Sequence, residues 1–186
     1  MTDSAVEAED FAGDKIAAQS AALPPLWRIF DRIVIGSSEV SLFAVGAFFT
    51  VMITLEVISR YLFNFSILFI NAAARFLLVW FFLLGAGLAL RHGAHVGFEL
   101  ITSRLPPGAK RIVIFIAQFL ALIFFAEMVW GGLYSLGPAM NQIEPGLEIR
   151  LVWAFLAIPV GFGLLIYHML VLMYVELQEM SRKTRP

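Results

Sequence analysis

The chain has 186 residues, of which 60% are hydrophobic and 15% are charged, whereas soluble domains carry about 25% charged residues. A water-soluble fold of this length could not bury so much apolar surface, so the composition excludes an ordinary soluble protein. The absence of cysteine excludes disulfides, thiolate metal sites and cysteine nucleophiles, and the formal net charge of -1 hides acidic and basic residues that cluster in different segments.

The first 25 residues form an acidic segment rich in alanine, serine and glycine. Its carboxylates are Asp3, Glu7, Glu9, Asp10 and Asp14, and one basic residue, Lys15, opposes them. This composition predicts a disordered tail that ends at Pro24-Pro25, with a docking segment as the alternative. No basic residues precede an apolar run here, so the segment does not resemble a cleavable signal peptide.

Four apolar stretches follow, at about 33–58, 67–90, 112–135 and 152–175. Each has about 24 residues or more, so as a helix it would be ~36 Å long and could cross the ~30 Å hydrocarbon core of a bilayer. The sequence therefore predicts an all-α integral membrane protein, with a four-helix transmembrane domain at 26–178 and a basic C-terminus at 179–186.

Lysine and arginine residues near the predicted spans are distributed unequally between the two sides of the membrane. One side receives Arg28, Arg32, Arg91, Arg104, Lys110, Arg111, Arg182, Lys183 and Arg185. The other side receives Arg60 and Arg150. By the positive-inside rule, both termini and the loop between spans two and three are cytoplasmic.

Charged residues also lie inside the predicted spans. Glu39 and Glu56 are near the ends of span one, where contact with water or headgroups is expected, and Glu56 could pair with Arg60 along one helix face. Arg75 in span two and Glu127 in span three lie deeper, each ~12 Å from the predicted outer end.

An arginine at the centre of a span costs about 2.5–3.5 kcal/mol on an insertion scale, so a partner is expected for Arg75 and for Glu127. Their matching depth favours an ion pair between them. The alternatives are that each residue faces a partner subunit, or that Glu127 is a neutral acid without a partner.

The loop between spans two and three contains Arg91, His92, His95 and Glu99. Apolar residues recur there at helical spacing, at Val96, Leu100, Ile101 and Leu105. This pattern predicts a short amphipathic helix in the inner interface, with an irregular loop as the alternative. The two histidines and Glu99 have a spacing that could hold a divalent metal, but loop histidines near an interface are common, and no metal site is predicted.

Other positions indicate turns and helix packing. Trp80 lies near the middle of span two, far from either headgroup layer, so it is expected to pack against protein. Gly137-Pro138 predicts the end of span three, and Pro145-Gly146 predicts a turn before span four. Within span four, Pro159 and Gly161 predict a kink or a close approach between helices.

Six short segments of the chain form a recognisable pattern across the four spans. They are Arg60–Asn64, Arg75–Trp80, Leu84–Ala86, Arg91–Gly97, Pro145–Ile149 and, after Trp153, Ala157–Phe162. In their order, spacing and four-span frame they resemble the small membrane subunit (DctQ type) of tripartite ATP-independent periplasmic (TRAP) transporters. The likeness covers about Glu39 to Tyr174 and leaves out both tails.

This resemblance implies a bacterial inner-membrane secondary transporter with three components. An extracytoplasmic solute-binding protein would deliver an organic anion, often a carboxylate, to a large multi-span membrane subunit that carries out sodium-coupled transport. The chain itself would be the small, non-catalytic subunit that packs against the large one and helps to anchor it in the bilayer. No cofactor and no nucleic-acid partner are implied.

On this resemblance, the candidates for contacts between helices or subunits are Arg75, Trp80, Gly85 and Gly87. Many relatives have two adjacent acidic residues shortly before the arginine that matches Arg75, whereas this chain has Asn71 and Ala72 there. Glu127 could supply the missing counter-charge from span three.

Two other functions compete with this interpretation. An autonomous small carrier would use Glu127 as its protonatable group, but Arg75 and Glu127 alone are too few to build a hydrated path through four helices. A membrane enzyme or redox anchor is disfavoured because the sequence has no cysteine and no second histidine at the depth of His168.

Overall fold

The computed structural model describes residues 16–92 and 106–183, which form a bundle of long helices with a small strand pair. The helices are α1 (Pro25–Leu62), α2 (Leu68–Arg91), α3 (Pro107–Met140), α4 (Val152–Phe155) and α5 (Ala157–Lys183). The strands are β1 (Ile143–Glu144) and β2 (Ile149–Arg150). Four helical segments are long and apolar enough to span a bilayer, the fourth formed by α4 and α5 together, so the predicted all-α membrane fold is confirmed.

The two longest helices extend beyond the predicted spans. Both α1 and α3 begin at a proline, a residue that suits the first helical position because its missing N–H would be unpaired there anyway. Helix α3 also continues through Pro138 to Met140, so the expectation that Gly137-Pro138 ends this span is wrong. A proline in the last turn removes only one backbone hydrogen bond, which leaves the turn intact.

The spanning helices lie in an open row rather than a closed square. Helix α1 packs against α2, α2 packs against α5, and α5 packs against α3. The two middle spans are accordingly more buried. In the most apolar 18-residue segment of each, 28% and 39% of the residues are buried, against 6% for the spans formed by α1 and α3. Most of the apolar surface of α1 and α3 is therefore available to lipid or to another protein.

One end of the bundle, called here the hairpin end, holds the α1–α2 turn and the segment from α3 to α4. Strands β1 and β2 pair antiparallel there, with Ile143 opposite Arg150 and Glu144 opposite Ile149. Between them, a Cβ on Gly146 would lie 2.8 Å from the Cβ of Ala72 in α2. Only glycine therefore allows the predicted Pro145-Gly146 turn to lie so close to α2.

The opposite end, called here the terminal end, holds the beginning of α1 and the end of α5. Residues 16–21 are helical and Leu23 is buried, which differs from a tail disordered as far as residue 25. The physical reason is local: the Ser20 hydroxyl donates a 2.6 Å hydrogen bond to Asp31 of α1. Disorder of residues 1–15 stays a prediction, because those residues lie outside the described ranges.

Other predictions fall outside the described part of the chain or lack a test in it. The amphipathic helix predicted around residues 96–105, together with His95 and Glu99, lies in the gap between 92 and 106. The cytoplasmic placement of both termini also stays a prediction, since the structure contains no membrane.

Candidate functional site

A buried carboxylate joins α1 to α2 at the hairpin end. Glu56 is 3% exposed and accepts hydrogen bonds from the Ser66 hydroxyl at 2.7 Å, the Ile67 N–H at 3.0 Å and the Asn71 amide at 2.9 Å. Arg60 adds an ion pair at 2.9 Å, as its spacing predicts. The expectation that Glu56 contacts water or headgroups is wrong, because the turn after α1 folds back over it.

This arrangement gives a contact to Asn71, one of the residues considered for packing between helices. Its amide donates to Glu56, while the Ile67 N–H at the start of α2 donates to the same carboxylate. A carboxylate at a helix N-terminus satisfies otherwise unpaired backbone donors. The Glu56 cluster therefore fixes the beginning of α2 against α1.

A second buried cluster joins three helices toward the terminal end. Asp31 of α1 and Arg91 of α2 are both fully buried and form an ion pair. The Tyr167 hydroxyl of α5 donates to the other oxygen of Asp31 at 2.9 Å, and Ser20 also donates to this carboxylate. Arg91, predicted to lie in an interface loop, thus ends α2 inside the protein.

The His168 side chain lies beside this cluster and is 1% exposed. Its ring is 5.4 Å from that of Tyr167, and a Cβ on Gly87 would lie 3.3 Å from its Cδ2. His92 lies elsewhere, at a cavity of about 540 Å³ between residues 16–21 and α1, which Arg28 and Arg32 also line.

Arg75 pairs with a residue that the sequence did not single out. Its guanidinium lies 2.5 Å from Glu144 of β1; the Arg75 side chain is 70% exposed and that of Glu144 is 17% exposed. Over residues 16–92 and 106–183, Glu144 is the one acid within 4.0 Å of Arg75, so the hypothesised pair with Glu127 is not formed within the chain.

Two features of the fold separate Arg75 from Glu127. Helix α5 packs against both α2 and α3 and lies between them. In addition, α3 runs on to Met140, so Glu127 is ~20 Å from the hairpin end of its helix, whereas Arg75 is ~10 Å from the first residue of α2. Glu127 is exposed on α3, and within the described ranges it has no hydrogen bond or ion pair.

The remaining candidates lie where helices meet. The Trp80 indole donates a 3.1 Å hydrogen bond to the Trp153 carbonyl of α4. A Cβ on Gly161 would lie 2.5 Å from the Cβ of Leu83, so α5 and α2 are in close contact there. A Cβ on Gly85 would meet Leu42 of α1 at an ordinary 3.5 Å.

Pro159 lies in the first turn of α5, next to the point where span four is interrupted. Helix α4 ends at Phe155 and α5 begins at Ala157, and a proline at 159 cannot donate to the Phe155 carbonyl. The same proline contacts α3, since a Cβ on Gly132 would lie 2.9 Å from its Cδ.

Sequence reasoning missed three residues that make contacts across the fold. Asp31 stands among the basic residues that flank span one, and Glu144 lies in the two-residue strand β1. The amide of Gln118 in α3 donates to Glu176 in α5 at 3.0 Å. Gln118 gave a signal, as a polar residue within a long apolar run. Several described polar groups bind one another across helices, an arrangement suited to fixing helix positions.

Comparison with known proteins adds to this geometry. The family described as tripartite ATP-independent periplasmic transporters, DctQ component, matches residues 49–179. A Haemophilus influenzae protein named as a TRAP transporter small permease is 28% identical over 107 residues, which cover 58% of this chain and 66% of that protein. The ectoine TRAP transporter small permease protein TeaB of Halomonas elongata is 28% identical over 145 residues, 76% of this chain and 75% of that protein.

Proposed function

The chain belongs to the DctQ family of tripartite ATP-independent periplasmic transporter components, and we propose that it is the non-catalytic scaffold subunit of such a transporter. In this role it packs against a large multi-span membrane subunit and helps to anchor that subunit in the bilayer. Both termini lie on the cytoplasmic side of a bacterial inner membrane, as the distribution of lysine and arginine indicates.

One observation carries this proposal: the buried polar groups connect helices to one another. Glu56 fixes α2 to α1, and Asp31 with Arg91 and Tyr167 fixes α1, α2 and α5. A transport path needs polar groups that face a hydrated cavity and exchange partners with a solute. Groups already bound to each other, as here, are suited to holding a rigid surface.

Substrate choice belongs, in this proposal, to the other two components. An extracytoplasmic solute-binding protein delivers an organic anion such as a carboxylate, and the large subunit moves it with sodium. One relative is named for ectoine, and the described residues of this small subunit place no visible constraint on the substrate.

Purification from the native membrane tests the scaffold role. The chain is tagged at its C-terminus and extracted in mild detergent, and the proteins that co-purify are identified by mass spectrometry. We expect a large multi-span protein at about equal stoichiometry, with an unrelated tagged four-span protein as the control for carry-over. A homogeneous homo-oligomer without such a protein would contradict the proposal.

One observation favours a second candidate, the autonomous carrier: Glu127 lies within a span and has no partner among the described residues. Against it, Glu127 is exposed on the outside of the row, while α5 separates it from α2. Solute or proton flux by the chain alone in liposomes, abolished by Glu127→Gln, would favour the carrier. Absence of flux is the outcome expected for a scaffold.

A further inference from the structure

One face of α3 presents a carboxylate in an otherwise apolar stripe. The stripe, called here the α3 outer face, consists of Ile116, Leu120, Ile123, Glu127, Trp130 and Tyr134. These positions recur at helical spacing, and all six are exposed, from 49% at Ile123 to 81% at Tyr134 among the apolar members. Because α3 packs mainly against α5, this face has no cover within the described chain.

The position of Glu127 makes contact with lipid alone unfavourable. The apolar stretch 112–135 places it ~12 Å from the nearer end, too deep for a short side chain to reach the headgroups. Lipid tails offer no hydrogen-bond donor, and a carboxylate without one in the hydrocarbon core is strongly disfavoured. A charged Glu127 therefore requires a protein that brings a donor to this depth.

A second copy of the chain does not meet this requirement. Two copies inserted in the same orientation are related by an axis along the membrane normal, so a symmetric contact would place one Glu127 opposite the other. The other faces offer no suitable cation either. Of the described basic residues whose side-chain burial is given, Arg28, Arg32, Arg60 and Lys110 lie near helix ends, and Arg150 lies in β2, outside the spans. Arg91 is fully buried, and Arg75 pairs with Glu144.

We propose that the α3 outer face is the docking surface for the large membrane subunit, and that Glu127 accepts hydrogen bonds from a basic side chain of that subunit at the same depth. This inference rests on the proposed scaffold role and adds to it the contact face and the chemistry of the partner. A solute-binding protein, being outside the membrane, cannot supply a donor at mid-span. The apolar members of the stripe pack around the pair and exclude lipid from it.

The absence of cysteine makes the face directly testable, because an introduced cysteine is the one maleimide site in this chain and the wild-type complex controls for labelling of other subunits. Ile123→Cys places a label on the α3 outer face, and Val51→Cys places a matched label on the exposed side of α1, where Val51 is 55% exposed. Each is labelled with a photoactivatable maleimide in the assembled transporter. We expect the label at 123 to cross-link to the large subunit and the label at 51 to give none.

The outcomes separate this inference from the proposed function. Cross-linking to the large subunit from position 51 and not from 123 overturns the docking face but leaves the scaffold role in place. Cross-links from 123 to a second copy of the chain overturn the choice of partner. If no large subunit is present in the purified complex, the scaffold role itself fails.

Charge reversal tests the chemistry of the contact. Glu127→Lys should reduce the co-purified large subunit about tenfold or more, because two cations would then meet in the membrane. Glu39→Lys, at an exposed acid on α1, is the matched control and should leave the yield unchanged. Glu127→Gln, which inserts more readily, should weaken the complex less than Glu127→Lys; wild-type yields with both Glu127 variants would overturn the role of this carboxylate.

Discussion

At the residue scale, the ion pair between Asp31 and Arg91 joins α1 to α2, and the Tyr167 hydroxyl adds α5 to the same cluster. Both side chains are fully buried, and Tyr167 and Ser20 bind the remaining lone pairs of the carboxylate. Removing one member of a buried pair leaves an uncompensated charge, which is more damaging than removing both. The contact therefore acts as a unit.

We predict that Arg91→Met destabilises the protein by about 3–5 kcal/mol, because Asp31 is left charged in a buried site. The double variant Asp31→Asn with Arg91→Met should recover part of that loss. Tyr167→Phe, which removes one hydrogen bond, should cost about 0.5–1.5 kcal/mol and serves as the mild control. Thermal unfolding in one detergent measures all three; equal losses for the single and double variants would contradict the buried-pair interpretation.

A second residue-scale prediction concerns Arg75. Its side chain is largely exposed, so the pair with Glu144 should contribute only about 0–1 kcal/mol, and Arg75→Glu should weaken the contact between α2 and β1 mildly. Exchanging the charges in Arg75→Glu with Glu144→Arg should restore the stability of the wild-type protein. The control is Arg75→Glu with Glu127→Arg, which should not restore stability. If it did, Glu127 and not Glu144 would be the partner of Arg75.

The polar contacts differ in how far the sequence could predict them. The pair between Glu56 and Arg60 is confirmed, since a spacing of one helical turn fixes which side chains meet. The partner of Arg75 can be predicted only if the path of the segment after α3 is known. The partners of Asp31 can be predicted only if the end of α2 and the middle of α5 are known to meet. Contacts between distant parts of the chain leave no spacing in the sequence to recognise.

At the element scale, the four spans were predictable because each leaves a long apolar run, the strongest signal that a sequence carries. The ends of α1 and α3 were not predictable, because both helices extend past the apolar stretch into less apolar flanking residues. Strands of two residues, as in β1 and β2, are too short to show an alternating pattern.

The contact between α2 and α5 yields a prediction at this scale. Gly161→Ala should destabilise the protein by about 1–3 kcal/mol, because the new methyl group would lie 2.5 Å from Leu83 and the helices must separate. Gly163→Ala, two residues along the same helix, has nothing within 4 Å and should be neutral or stabilising by up to about 1 kcal/mol. Thermal unfolding compares the two, and equal effects would contradict a close approach specific to Gly161.

At the scale of the whole molecule, the open row of helices determines what the subunit can present. Helix α2 is held by buried polar clusters at both ends and α5 by the Asp31 cluster, whereas α1 and α3 expose most of their apolar surface. Two broad faces are therefore available to lipid and to other proteins. A rigid row with wide outer faces is the shape expected of a subunit that enlarges the membrane-embedded area of another protein.

The Glu56 cluster also has a consequence for biogenesis. All of its members lie between Glu56 and Asn71, so the ribosome delivers every group that it needs within one short stretch of synthesis. The turn between the first two helices can close as soon as α2 emerges, and N-terminal parts of a chain generally fold first. The cluster around Asp31 and Arg91, by contrast, is complete only when Tyr167 of α5 has been synthesised. Assembly in the membrane would therefore begin with the contact between α1 and α2 and end when Tyr167 completes the buried cluster.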